Sequence, residues 1–247
     1  MSFQIIDIFR VPYIHYNKRV MKPEEIGVVI PDGPGPRINT TLICNLTTPV
    51  QSAFYAAQTA GTDNGLTIHI KAMLDQHPVW SALMPSVTPP ALLQYQQSYA
   101  NSNLSAVSAE INQIGKMLTD GQYLFHGGLW PTTYLPGSKF TTIRPLSTTL
   151  CPNVAFNETL HNGKAYDSGR IDILVLKVKD PQTKVFAYDV NGADLGHEQE
   201  AIFAEGAVLT LVSVEAVGIS TAGKCAPGSY QVKEKTVPVY IIEAEIS

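Results

Sequence analysis

Two glutamates, Glu198 and Glu200 in the run HEQEAIFAEG, are spaced so that on an extended backbone both side chains leave the same face. One carboxylate of such a pair can stabilise positive charge as it develops on a reacting carbon, while the other orients or deprotonates an incoming acceptor. The spacing recurs at Glu243 and Glu245, inside an alternating strand pattern where carboxylates at i and i+2 make an ordinary solvated face, so that copy reads as structural. Two more clusters carry useful polar groups. In Ser147-Thr148-Thr149 the first and third hydroxyls share a strand face. In His126-Gly127-Gly128 the missing side chain at Gly127 leaves its amide and carbonyl open to a ligand at close approach.

Other chemistries find less support. The cysteines at 44, 151 and 225 are far apart with no CxxC pair, which suggests neither a disulfide framework nor a zinc site. His15, His69, His77, His161 and His197 form no metal-ligand spacing, so metal catalysis is not expected. Gly33-Pro34-Gly35 lacks the following Gly-Lys-Ser/Thr of a phosphate loop and reads as a turn. With 17 Lys+Arg against 21 Asp+Glu the net charge of −4 is weak and mixed, which argues against nucleic acid or an anionic membrane as partner. Arginine is scarce, occurring only at positions 10, 19, 37, 144 and 170. The amino-terminal run has no basic start or cleavage site of a secretory signal, and no stretch is long and apolar enough to span a bilayer.

The elements that must position these residues follow from the pattern of apolar and turn residues. Residues 1 to 65 read as short strands, FQIIDIF, GVVI and TTLICNL, followed by a short helix over 50 to 60. From 66 to 118 the pattern turns helical, cut into short pieces by Pro78, Pro85, Pro89 and Pro90. The clearest helix is expected over 103 to 118, with Leu104, Val107, Ile111, Ile114 and Leu118 on one face and Asp120-Gly121 beyond its end. After Gly121 six strand segments follow, QYLFHGGLW, KFTTIRPLSTTL, RIDILVLKV, KVFAYDV, AIFAEGAVLTLVSVEAV and VPVYIIEAEI, which makes the chain α+β.

The order YLFHGG (123–128), FTTIRPLSTTL (140–150) and HEQEAIFAEGAVLTLVSVE (197–215) resembles the mono-ADP-ribosyltransferase toxins and effectors, in their arginine-serine-glutamate class. The resemblance covers about half of the chain and includes Gly137, Phe140-Thr141 and Val154 to Phe156 in their expected order, with a Gly-containing loop from Asn191 to Gly196 before the glutamates. It departs from that class at His126, where an arginine stands in the family; a His-Gly step there is similar to the diphtheria-toxin class. The resemblance implies an ADP-ribosyltransferase-like β-sandwich core with preceding short helices over 66 to 247, and an amino-terminal β-rich segment over 1 to 65. It also implies NAD as co-substrate without a metal, and an effector that acts in a host cytoplasm after non-classical or injected delivery.

The resemblance also distributes roles. Glu200 would stabilise the oxocarbenium-like transition state as nicotinamide leaves, and Ser147 would hold its carboxylate. Glu198 would direct transfer to a protein arginine. His126, Gly127, Thr148, Thr149 and Phe156 would complete the NAD pocket, with Phe156 near the nicotinamide. His126 would touch the ribose or diphosphate, and a neighbouring diphosphate would favour its imidazolium; lacking the fork and permanent charge of arginine, it would bind NAD more weakly and with a pH dependence. Two other readings remain open: an NAD-binding pseudoenzyme or NAD glycohydrolase, and a non-enzymatic β-rich interaction protein. The last requires that His126, Ser147 and Glu200 not converge on one cleft.

Overall fold

The computed structural model describes residues 2–26, 36–60, 62, 64–189, 198–226, 228 and 231–247. The expected strand GVVI, the turn at 33 to 35, the loop at 191 to 196 and His197 lie outside them. The elements run β1 (Tyr13–Val20), α1 (Pro23–Ile26), β2 (Arg37–Leu46), α2 (Pro49–Gln58), α3 (Leu66–Asp75), α4 (Pro78–Leu83), α5 (Pro90–Gln97) and α6 (Leu104–Ile114). Then come β3 (Tyr123–Gly127), β4 (Lys139–Thr141), β5 (Leu146–Thr149), α7 (Pro152–Leu160) and α8 (Lys164–Ser168), followed by β6 (Ile171–Val178), β7 (Val185–Ala187), β8 (Glu200–Phe203), β9 (Val208–Cys225) and β10 (Val232–Ile246). The α+β class holds. β1 and β2 form a two-stranded antiparallel hairpin, and the other eight strands form one sheet in the order β4-β9-β10-β6-β3-β5-β8-β7. Only β10 and β6 run parallel; the remaining pairs are antiparallel. No helix among the described residues is long and apolar enough to cross a membrane.

Prolines begin the helices as much as they interrupt them. Pro49, Pro78, Pro90 and Pro152 each sit at a first helical position, where the missing N–H has no intrahelical partner to lose. Side chains cap three of the described helices: Thr48 Oγ1 accepts from Gln51 N at 3.2 Å, His77 Nδ1 from Trp80 N at 3.4 Å, and Asn103 Oδ1 from Ala106 N at 3.1 Å.

Several expectations need correction. FQIIDIF is not a strand. Phe3, Ile6, Ile8 and Phe9 are apolar because they are buried, and the backbone between them is served by irregular bonds such as Ile6 N to Gln122 Oε1 at 2.8 Å. The helix expected to reach 118 stops at Gly115, where a Cβ would lie 2.5 Å from Ile111 O and 2.8 Å from Val185 O. Ile114 is consequently exposed, and Leu118 is buried through a bridge to Phe3 rather than on the helix face. The six strand segments resolve into eight strands. FTTIRPLSTTL divides into β4 and β5, because Thr142 leaves the ladder to bind Gly206 and Ala207 and Pro145 has no N–H to give. The run after Glu200 divides into β8 and β9 at the turn containing Gly206, whose φ is 99°.

One continuous buried cluster joins Phe3, Phe9, Leu46, Ala53 and Tyr55 to Leu66, Phe156, Ile173 and Ile242. A smaller cluster on the other side of β7 and β8 receives Leu92 and Tyr95 of α5 and Val107 and Ile111 of α6. These two helices therefore stand beside the strand that begins with Glu200.

Candidate active site

Strands β3, β5 and β8 are consecutive neighbours in the sheet, and each delivers one of the residues singled out above. Thr149 pairs with Glu200 in the β5–β8 register and Phe125 with Thr149 in the β3–β5 register, so the ends carrying His126, Ser147 and Glu200 meet. Ser147 joins the other two. Its hydroxyl donates to Glu200 Oε1, and its carbonyl lies 2.7 Å from His126 Nδ1. A carbonyl only accepts, so Nδ1 carries the proton of the neutral ring. The three side chains line one cleft of about 450 Å³.

The electrostatics of the three differ. Glu200 is only 8% exposed, and burial, reinforced by the charges of Glu198 and Glu158, pushes its carboxyl up to about 7 against the opposing hydrogen bond from Ser147. Burial holds the imidazole of His126 down at about 4, and the positive charges of Lys164 and Arg144 add to that, so the ring is neutral near pH 7. Gly128 makes the ring's position possible: a Cβ there would fall 2.2 Å from His126 Nε2.

Glu198 also lines the cleft, though the segment between the glutamates is not extended as expected. Gln199 has a φ of 52°, in the left-handed region, and its Nε2 donates to Thr67 O on α3 at 3.4 Å. Thr149 and Thr148 border the cleft with their hydroxyls committed to backbone, to Glu198 O and Ala201 O respectively, each at 2.6 Å. They brace the β5–β8 junction. Gly127 lies in the cleft wall, where the absence of a side chain has a packing cause: a Cβ would stand 1.9 Å from Ala155 O of α7. Phe156 is not brought to the cleft. It is buried in the main core and borders a separate cavity of about 270 Å³ with Asn64, Thr67 and Asn153.

Several cleft residues had no signal in the sequence, Tyr95, Gln96, Tyr99, Arg144, Glu158 and Lys164 among them. Tyr95 and Gln96 come from α5, and Glu158 and Lys164 from α7 and α8, held together by an ion pair at 3.3 Å. Gln96 borders the cleft, and both of its polar side-chain atoms are buried with no partner among the described residues. Asp172, fully buried on β6, fixes the segment that follows Gly128. It accepts from Trp130 N at 2.9 Å and from Tyr134 OH at 3.1 Å, and pairs with Arg170 at 3.2 Å.

No family model matches the chain, and no curated protein matches it. Among solved structures it is similar to ADP-ribosyltransferases. Vis, a toxin of Vibrio splendidus solved with an inhibitor, is 14% identical with a TM-score of 0.44, covering 78% of this chain and 90% of that one. C3stau2 of S. aureus, solved with NAD, is 12% identical with a TM-score of 0.34, covering 80% and 93%. Plx2a, an ADP-ribosyltransferase toxin from Paenibacillus larvae, is 8% identical with a TM-score of 0.33, covering 80% and 92%.

Proposed function

We propose that the cleft binds NAD and transfers its ADP-ribose to an acceptor, a protein arginine by preference, with release of nicotinamide. The observation that carries this reading is the hydrogen-bonded link His126–Ser147–Glu200, made across three neighbouring strands from residues far apart in the chain. Three coincidental strand residues would have no reason to share one cleft.

In this reaction the bond between nicotinamide and ribose breaks, its electron pair leaves with nicotinamide, and positive charge develops on the ribose carbon. Glu200, fixed by the Ser147 hydroxyl, places its carboxylate where that charge appears, in a wall dry enough to strengthen the attraction. The guanidino nitrogen of the acceptor then bonds to the carbon and loses one proton. Glu198, on the same cleft two residues earlier, is the carboxylate to orient the guanidinium and take that proton. The unpartnered amide of Gln96 supports a ligand with polar groups of its own at this place.

The test is nicotinamide release from NAD by the purified protein, with and without agmatine as a soluble arginine analogue, alongside Glu200→Ala and Glu198→Gln. Release that is lost in Glu200→Ala and stimulated by agmatine in the wild type is expected, with Glu198→Gln keeping hydrolysis but losing the stimulation. Binding of NAD without release would identify a pseudoenzyme. Release unaffected by Glu200→Ala would overturn the assignment.

A further inference from the structure

The scarcest charged residue in the chain supplies a group that the strand carrying His126 does not. Arg144 stands in the irregular segment between β4 and β5, three residues before Ser147, and its side chain borders the cleft. Its Nη1 donates to Tyr99 OH at 2.9 Å, and among the described residues no carboxylate pairs with it. That bond uses one guanidinium donor and leaves the others directed by a tethered group. Lys164 borders the same cleft from α8, but its ammonium is shared with Glu158. Both cations lie close enough to depress the ionisation of His126. The imidazole is neutral, its Nδ1 is committed to Ser147 O, and its Nε2 is folded against Gly128. An anion entering the cleft therefore meets its permanent positive charge at Arg144 and not at His126.

We propose that Arg144, held by Tyr99, is the residue that grips the diphosphate of the dinucleotide in this cleft. This rests on the reading of the cleft as an NAD site. A guanidinium is suited to the task because it stays charged throughout the accessible pH range and can present two parallel N–H donors to phosphate oxygens. The position also assigns a role to Tyr99: it fixes the guanidinium at the cleft mouth before ligand arrives. His126 then serves as a strut that donates to the carbonyl of Ser147.

Calorimetric titration of NAD, ADP and adenosine into the wild type, Arg144→Gln and Tyr99→Phe tests this. Arg144 is exposed, and matching melting curves establish that Arg144→Gln is folded. The expected result is a loss of about tenfold or more in affinity for NAD and for ADP in Arg144→Gln. Tyr99→Phe should show a smaller loss of the same kind, and adenosine equal affinity for wild type and Arg144→Gln. Raising the salt concentration should weaken ADP binding to the wild type more steeply than to Arg144→Gln. Unchanged ADP affinity in Arg144→Gln, or equal losses for ADP and adenosine, would overturn the assignment of Arg144 while leaving the NAD site in place. Failure of the wild type to bind either NAD or ADP would instead remove the underlying reading, and this one with it.

Discussion

Glu200 sits at the junction of two opposing demands. Its proposed work needs the charged form, and its burial disfavours that form, so the carboxyl ionises only as pH rises through about 7. The rate of nicotinamide release under saturating NAD should therefore climb with pH and reach half its plateau near 7. The Ser147 hydroxyl favours the charged form by donating to it. Ser147→Ala should lower the plateau and also move the half-point to higher pH, which a rate profile from pH 5 to 9 reads directly; a lower plateau with an unmoved half-point would mean that the bond orients the carboxylate without tuning it. The serine and both glutamates were legible in the sequence, because order along the chain carries information that a lone Glu-x-Glu lacks. Arg144 was not, since it lies in a kink between strands where the sequence reads as one strand, and Gln96 looks like any polar residue on a helix surface until the cleft beside it is seen.

At the scale of elements, the site depends on how closely β3 approaches α7. Gly127 permits that approach, its missing Cβ leaving room for the Ala155 carbonyl, and α7 in turn carries Glu158 to the cleft. Gly127→Ala forces the two apart or bends the strand, and should cost about 3 kcal/mol of stability in urea unfolding. Gly137→Ala provides the contrast in space, since nothing lies within 4 Å of a Cβ there, although its φ of 85° adds backbone strain of its own. Strand segments were legible as alternating or continuous apolar runs, and their number was not, because the kinks at Thr142 and Gly206 are made by hydrogen bonds between residues about 64 positions apart. The end of α6 at Gly115 has the same kind of cause: the apolar period runs on to Leu118, but Lys116 exchanges both of its backbone hydrogen bonds with Val185 on a distant strand. Phe3 to Phe9 failed as a strand for a related reason, since burial produces an apolar run whether or not the backbone joins a ladder.

Over the whole molecule, the stretch from Phe3 to Phe9 is anchored more than a hundred positions away, Phe3 N to Met117 O and Ile6 N to Gln122 Oε1, and its buried side chains share one cluster with Phe125 and Ala155 of the cleft wall. The sheet is closed from the other direction. β10 lies between β9 and β6, with Val237, Val239, Ile241, Ile242, Ala244 and Ile246 buried. A ribosome delivers a chain from its amino end forwards, so β6 and β9 emerge with the strip between them empty, and the order of synthesis is at odds with the order of the sheet. Nascent chains stalled with residue 230 as the last to clear the exit tunnel should be cut throughout by a protease, whereas chains held on a linker that frees residue 246 should resist it. Until that strand arrives, the ribosome carries every side chain of the proposed site and no finished sheet to hold them.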